Sequence, residues 1–505
     1  MRNRPDALKF GQAALRHVTI VTAERKMFEH FQRRSSTAVR SRQRSPRVSV
    51  CSRTAWLTFA ALATIMVATT RAADVPPKRT VRLPGPSGAE VRMATAPSPP
   101  RKPTYFKSAH FVVHTDLKSK EAHELLNRLE VMLSLISKYW GQPPAGTIEC
   151  YVVKDLAAWP DGSIPLEGLE KIRQSAGITT VETLSRGLKV VSAKATVFAK
   201  YGAHPLADGA GDRGTPQHEA VHAYCGQAFG RTGPLWYAEG MAEMGRYWRQ
   251  GDVSVHCDSI VVDYLKMSAP KSLAEIVSDR SASRTGDSWQ NYAWRWALCH
   301  LLESNPNYST RFRALGLSYL NGAPAGFGDT FGSMLDEIAF EYRQFLTNFD
   351  QGYRVDLCSW DWKRRFKDLA PASVSTTRVN AQRGWQPTGV IVRAGESYDF
   401  SASGTWQTSK DTGETGADGG TSGVGRLEAA VFADFVLSKA FPLGAYGSFT
   451  PTTAGQLFVR CSDKWNELAD NRGTVALKIK RAGDGAPLPK PKRSVEAQAD
   501  EGDDD

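Results

Sequence analysis

The sequence is short of several features that would fix its class at once. Its seven cysteines in 505 residues include no Cys-x-x-Cys pair, which excludes a zinc-thiolate framework. No apolar run reaches the roughly 18 residues of a membrane-spanning helix, which excludes a polytopic membrane protein. No segment of about 20–50 residues repeats, so solenoids and propellers are excluded. Past the leader the chain also lacks an excess of either charge. Residues 1–73 hold 14 Lys/Arg against 3 Asp/Glu, so +11 of the net +12 sits there and about +1 remains for everything else. A nucleic-acid binder would need that basicity in its folded part, so no nucleic-acid partner is expected.

What is present points to globular domains. Hydrophobic residues make up 41% of the chain and charged residues 23%, with 13 Trp. That composition excludes wholesale disorder and collagen, and the length suggests two or three domains. Residues 1–73 have the layout of a secretory signal: Arg-rich sequence, an apolar run from Ala55 to Ala68, then small residues around Ala72 and Ala73. The run is too short to span a bilayer comfortably, so an exported chain with no stable transmembrane anchor is expected, with an uncleaved anchor as the alternative. Met27 is an alternative start, and Cys51 lies on the wrong side of the apolar run for a lipidated cysteine. Six cysteines follow: Cys150, Cys225, Cys257, Cys299, Cys358 and Cys461. An even count in an exported chain permits three disulfides; buried thiols with one or two bridges are the other reading.

Residues 74–104 are a Pro-rich linker. His110 to Thr115 and Ile148 to Val153 read as strands, and Lys118 to Trp140 carries apolar residues at helical spacing. Residues 215–350 are dominated by helical patterns, and 367–383 reads as a second linker. From Gly384 short alternating runs (Gly389–Val392, Ser397–Ser401, Leu457–Arg460, Val475–Ile479) are separated by Gly, Asp and Thr clusters, the pattern of an all-β sandwich or barrel. Residues 482–505 form a Pro-, Lys- and acid-rich tail expected to be disordered.

The chemistry-bearing stretch is TPQHEAVHAYCGQAFG, residues 215–230. Thr215 suits an N-cap with Pro216 in the first helical position, and Gly230 suits a stop. On a helix, His218 and His222 fall one turn apart on one face and can reach one metal ion, with Glu219 beside them as general base. After a short turn, PLWYAEGMAEMGRYW (234–248) reads as a second helix. Packed antiparallel, it brings Glu239 to the metal as third ligand and lets Glu243 accept a hydrogen bond from a ligand imidazole. Solvated helix charges are the alternative for both glutamates. Cys225, one turn past His222, is a competing thiolate or a buried structural cysteine. In WQNYAWRWALCHLL (289–302), Tyr292, Trp296 and His300 repeat at helical spacing, and Tyr292 is the candidate donor to an oxyanion. His204, His256 and His300 read as ordinary core or surface histidines.

This block resembles the gluzincin metallopeptidases, and more narrowly a family of secreted gluzincin-like proteins sharing W-x-x-E-G-x-A-E, here Trp236 to Glu243. The resemblance covers about 105–345. It implies a zinc site of His218, His222 and Glu239, Glu219 as catalytic base, and a peptide or protein substrate. The run CSDKWNELADNRGTVALKI (461–479), with GWQPTGVIVRAGESYDFSASGTW (384–406), resembles the galactose-binding PA-I type bacterial lectins, which are calcium-dependent β-sandwiches. By that resemblance Asp463, Glu467, Asp470 and Asn471 are calcium ligands, joined by a backbone oxygen near Thr408, and a galactose-containing glycan is a partner. Ser462 stands where the family has Asn, and Glu467 where it contributes only backbone oxygen. Without the ion, the same turn is an acidic, solvated loop.

The fold expected is therefore α+β: a mainly helical, zincin-like metallopeptidase domain with a small N-terminal sheet (105–366), then a lectin-like all-β sandwich (384–481). The function expected is an exported zinc-dependent metallopeptidase tethered to glycan by a calcium-binding module. The alternative is a catalytically inactive carbohydrate-binding protein of the cell surface.

Overall fold

A computed structural model of the chain describes residues 15–21, 102–186, 189–202, 213–278, 288–323 and 325–491. The apolar run 55–68, most of the Pro-rich stretch, Cys51 and His204 lie outside these residues. The architecture is α+β, with helices and open sheets. No helix among the described residues is long and apolar enough to cross a membrane.

The first sheet has the order β1-β5-β6-β4-β3-β2. Its strands are Leu15–Val21 (β1), Thr104–Lys107 (β2), Phe111–Thr115 (β3), Ile148–Val153 (β4), Gly177–Arg186 (β5) and Lys189–Lys200 (β6). Strands β3, β4 and β6 run parallel and the other pairs antiparallel. Parallel neighbours need crossovers. Helix α1 (Ser119–Trp140) makes the first, and α2 (Leu166–Arg173) with β5 makes the second. Helix α1 forms because Ala122, Leu125, Leu129, Met132 and Ile136 recur every three or four residues, and all are buried. It ends at Gly141, whose φ of 73° suits the left-handed cap. Two features depart from the sequence reading. The β5–β6 hairpin was not anticipated, and Leu15–Val21, inside the expected leader, pairs with β5 so that Val21 lies opposite Thr179.

The helices that follow are α3 (Thr215–Phe229), α4 (Leu235–Tyr247), α5 (Ser259–Met267), α6 (Leu273–Val277) and α7 (Trp289–Ser304). Then come α8 (Ser309–Leu320), α9 (Phe327–Phe331), α10 (Leu335–Asn348) and α11 (Val355–Cys358). A core rich in Leu, Trp and Tyr runs from the first sheet through α1, α3, α4 and α7. The approach of α4 to α7 is close because position 240 is glycine: a Cβ there would lie 2.4 Å from the Cys299 sulfur and 3.0 Å from the Arg295 carbonyl.

The C-terminal part contains two sheets, β14-β10-β16-β8 and β12-β11-β15-β9-β7, with β13 on β11. They comprise Lys367–Asp368 (β7), Ser375–Asn380 (β8), Gln386–Val392 (β9), Tyr398–Gln407 (β10), Leu427–Ala433 (β11), Val436–Leu437 (β12), Phe441–Pro442 (β13), Tyr446–Phe449 (β14), Gly455–Cys461 (β15) and Arg472–Arg481 (β16). Alternate residues of these strands, among them Val390, Phe400, Val431, Val459 and Leu477, share one core. Segment 367–383, read as a linker, contributes β7 and β8. The first residues of the expected tail are ordered too, because Ser401 donates to the Pro489 carbonyl at 2.6 Å and Leu488 is buried.

An aromatic cluster of Phe340, Trp360, Trp385, Phe432 and Phe458 joins α10 to this second part. At its edge the buried Glu341 carboxylate accepts from Asn305 (2.6 Å), Tyr308 (2.6 Å), Trp362 (2.7 Å), the Trp360 amide (3.0 Å) and Asn307 (3.3 Å). All six cysteines after residue 73 are thiols in the structure.

Candidate metal centre

Helix α3 starts at Thr215, one residue before the sequence reading, with Gly214 as N-cap and Pro216 in the first turn; Gly230 caps its end with φ 73°. Helix α4 follows after a short loop and packs against it. Their facing sides bring His218, His222 and Glu239 together, all buried. The distances are 3.3 Å between the two Nε2 atoms, 3.2 Å from His218 Nε2 to Glu239 Oε2, and 3.5 Å from His222 Nε2 to the same oxygen. Ligands at about 2.0–2.1 Å from a tetrahedral zinc stand about 3.3–3.4 Å apart, so these three atoms form one face of such a site.

The surrounding contacts hold the donors in place. His218 Nδ1 donates to Glu243 Oε1 at 2.9 Å, which directs Nε2 toward Glu239. Arg246 reaches Glu243 at 3.5 Å and also pairs with Asp258. Glu219 lies on the sheet side. The Thr179 hydroxyl of β5 lies 2.8 Å from Glu219 Oε2 and 2.8 Å from the Glu219 carbonyl. Gly177 makes room for this side chain, since a Cβ there would stand 2.7 Å from Glu219 Oε1. Tyr292 on α7 flanks the cluster, its ring centroid 5.6 Å from that of His218.

The electrostatics favour positive charge between the donors. Burial alone would lower the proton affinity of His218, but hydrogen bonds to Glu239 and Glu243 outweigh it and hold the group well above the ordinary histidine range. Burial would raise Glu239, and His222 and His218 overcome that and hold its carboxyl well below the usual carboxylate range. Glu219 goes the other way: burial pushes it up, against the pull of His218, His222 and Thr179. A field that retains a proton at His218 also suits a divalent cation.

Thr179, Gly177 and Arg246 are the residues the sequence reading missed. Thr179 and Gly177 lie about forty residues before the motif on a strand with no chemical signature of its own. Cys225 is buried in the main core, outside the donor cluster, and burial pushes its thiol up.

The acidic turn of the sandwich is arranged differently. Among the described residues, His218, His222 and Glu239 form the one set of three His, Cys, Asp or Glu donors within 4.8 Å of one another. Asp463, Glu467 and Asp470 do not converge in this way. Glu467 is exposed and pairs with Lys464 at 2.8 Å, and Asp470 closes a short 3-10 turn, Leu468–Asp470. Two buried oxygens nevertheless lack any hydrogen-bond partner, Asp463 Oδ2 and Asn471 Oδ1. Burial pushes the Asp463 carboxyl up, against the Lys464 amide and the Asn471 side chain, and Glu467 adds to the rise. Gly425 ties this turn to Trp406, because Trp406 Nε1 donates to the Gly425 carbonyl (2.6 Å) and the Gly425 amide to the Ser462 carbonyl (2.7 Å). These two unsatisfied side-chain oxygens, Asp463 Oδ2 and Asn471 Oδ1, fit a hard cation.

No protein-family profile matches the chain, and no curated protein matches it. Among solved structures the chain is similar to the EclA N-terminal domain, a PllA-like lectin, at 20% identity over 23% of this chain and 98% of that one, with a TM-score of 0.19.

Proposed function

We propose that the chain is an exported zinc-dependent metallopeptidase, with His218, His222 and Glu239 as ligands and Glu219 as general base. The observation that carries this reading is the triangle of donor atoms with edges of 3.2, 3.3 and 3.5 Å, with the Glu219 side chain on the same helix. Zinc bound there supplies Lewis acidity at the reacting carbonyl and acidifies water. The chain's own residues do the rest. Glu219, desolvated and fixed through Oε2 by Thr179, takes a proton at its carboxylate and returns it to the leaving amine nitrogen. Its raised proton affinity suits a base working near neutral pH. Glu243 fixes the tautomer of His218, and Tyr292, its ring centroid 5.6 Å from that of His218, is our candidate donor to the oxyanion. We further propose that the sandwich binds calcium through Asp463 and Asn471, aided by backbone oxygens, and through it a galactose-containing glycan that tethers the enzyme.

Elemental mass spectrometry of the purified protein tests the core of this reading. About one zinc per chain is expected, lost in His222→Ala and kept in Glu219→Ala. Hydrolysis of a peptide library is expected in the parent protein and in neither variant, with Glu219→Ala down by about 10²–10⁴-fold. Absence of zinc after reconstitution would sink the enzyme reading. Zinc without hydrolysis would remove the peptidase assignment and leave the metal site.

A further inference from the structure

The stripe Tyr292, Trp296, His300 on α7 is only partly used by the metal centre. Tyr292 flanks His218, but Trp296 and His300, one and two turns on, line a separate cavity of about 430 Å³ that none of the zinc-ligand candidates borders. That size is ordinary for a small-molecule site. Its walls are aromatic: Tyr247 meets Trp296 edge-to-face at 5.4 Å, Tyr139 meets Trp248 at 5.5 Å, and His300 stacks on Trp296 at 5.4 Å.

Three polar atoms on residues of this wall have no hydrogen-bond partner: Trp296 Nε1, His300 Nε2 and Tyr139 Oη. All three atoms lie beneath the cavity surface and not on it. His300, lowered to about 4 by burial, is a neutral imidazole.

The mouth has a different character. Lys138, Arg249 and Arg313 line it and are all exposed. Arg249 donates to the Tyr247 and Trp248 carbonyls at the end of α4, and Arg313 to the Tyr139 carbonyl, so both guanidinium groups are anchored by backbone. Two acids also line the cavity, Asp252, hydrogen-bonded to His256 at 2.6 Å, and Glu303, whose carboxyl burial pushes up, so the basic side chains outnumber the acidic ones.

We propose that this cavity binds a small organic anion with a planar aromatic body, its acidic group at the Lys138–Arg249–Arg313 mouth and its ring against Tyr139 and Trp248, the partly exposed aromatic residues of the lining. A basic rim beside partly exposed aromatic rings complements that class of ligand and disfavours an organic cation. The inference does not depend on the metal reading.

Isothermal titration of the full chain with 2-naphthoate, neutral 2-naphthylmethanol and cationic 2-naphthylmethylammonium tests it. Saturable naphthoate binding is expected, at least about tenfold tighter than the alcohol and weakened by salt. The double variant Arg249→Gln/Arg313→Gln should bring naphthoate down to the affinity of the alcohol and leave the alcohol unchanged, which also reports an intact fold. His222→Ala should bind naphthoate normally. Loss of naphthoate binding in His222→Ala would mean the carboxylate sits at the metal centre, and the proposal falls. It falls equally if the cation binds more tightly, if the double variant changes nothing, or if no ligand saturates.

Discussion

The two donor clusters of this molecule differ in how they are built. At the first, every donor sits on a helix, and helices α3 and α4 are held together by a core of large side chains and approach closely at Gly245, where a Cβ would stand 2.3 Å from Val221. His218 is also held through Nδ1 by Glu243, and the three donor atoms lie within 4.8 Å of one another. At the second, the donors sit on a turn. Asp463 and Asn471 each leave one oxygen unsatisfied, while Glu467 turns away to Lys464. Convergence on rigid elements yields a preformed site; donors on a loop yield a site that a cation must complete.

The sharpest way to break the comparison is to separate the two regions. Glu341 gathers five donors from the α7–α8 connection and from residues 360–362, beside the aromatic cluster that joins α10 to the sandwich. Glu341→Ala strands these donors and should cost at least about 3 kcal/mol. Calorimetry should then resolve two transitions, with the calcium-sensitive one assigned to the sandwich. A single unshifted transition would show that the carboxylate contributes little.

The next effect concerns the turn alone. If Asp463 and Asn471 complete a calcium site, calcium at a hundred times its Kd should stabilise the sandwich by about 2.7 kcal/mol. Asn471→Ala should abolish that protection while leaving zinc content intact. Equal protection in the variant would leave the turn as a solvated loop.

The metal centre responds more subtly to its supporting contacts. Glu243→Gln keeps the shape but weakens the acceptor for His218 Nδ1, and should lower zinc affinity by about 10–100-fold. Competition with a chelator measures this directly. An unchanged affinity would mean that α3 alone orients the imidazole.

These contacts were unequally legible. Spacing alone gave the pairing of His218 with His222, because 3.6-residue periodicity is a local property, whereas Glu239 and Glu243 reached the first histidine only through an assumed antiparallel packing of the next helix and a family resemblance. The strands β9, β10, β15 and β16 announced themselves by alternation for the same reason. The β5–β6 hairpin did not. Its residues mix Thr, Glu and Lys with Val and Ala, and its pairing to β4 and α3 is a long-range fact. Strand β7 was hidden because it is only Lys367–Asp368, and β8 because a short edge strand with Ser, Thr and Arg has the composition of a linker. Glu467 was placed by analogy, although Lys464 stands three residues before it and captures it in the fold.

The smallest effect tests the one contact at the candidate base that comes from outside the helices. Thr179→Val removes a hydroxyl 2.8 Å from Glu219 Oε2 with little change in shape. One hydrogen bond to a buried carboxylate is worth about 1 kcal/mol, so kcat/KM should fall about fivefold with zinc content unchanged. The direction of the pH effect follows from what the hydroxyl does. It favours the charged form of Glu219, opposing the rise caused by burial. Without it the carboxyl holds its proton to higher pH, and the acid limb of the pH–rate profile should move upward. A fall in rate with no movement of that limb would mean that Thr179 positions Glu219 without tuning it. No change in either would place the base elsewhere.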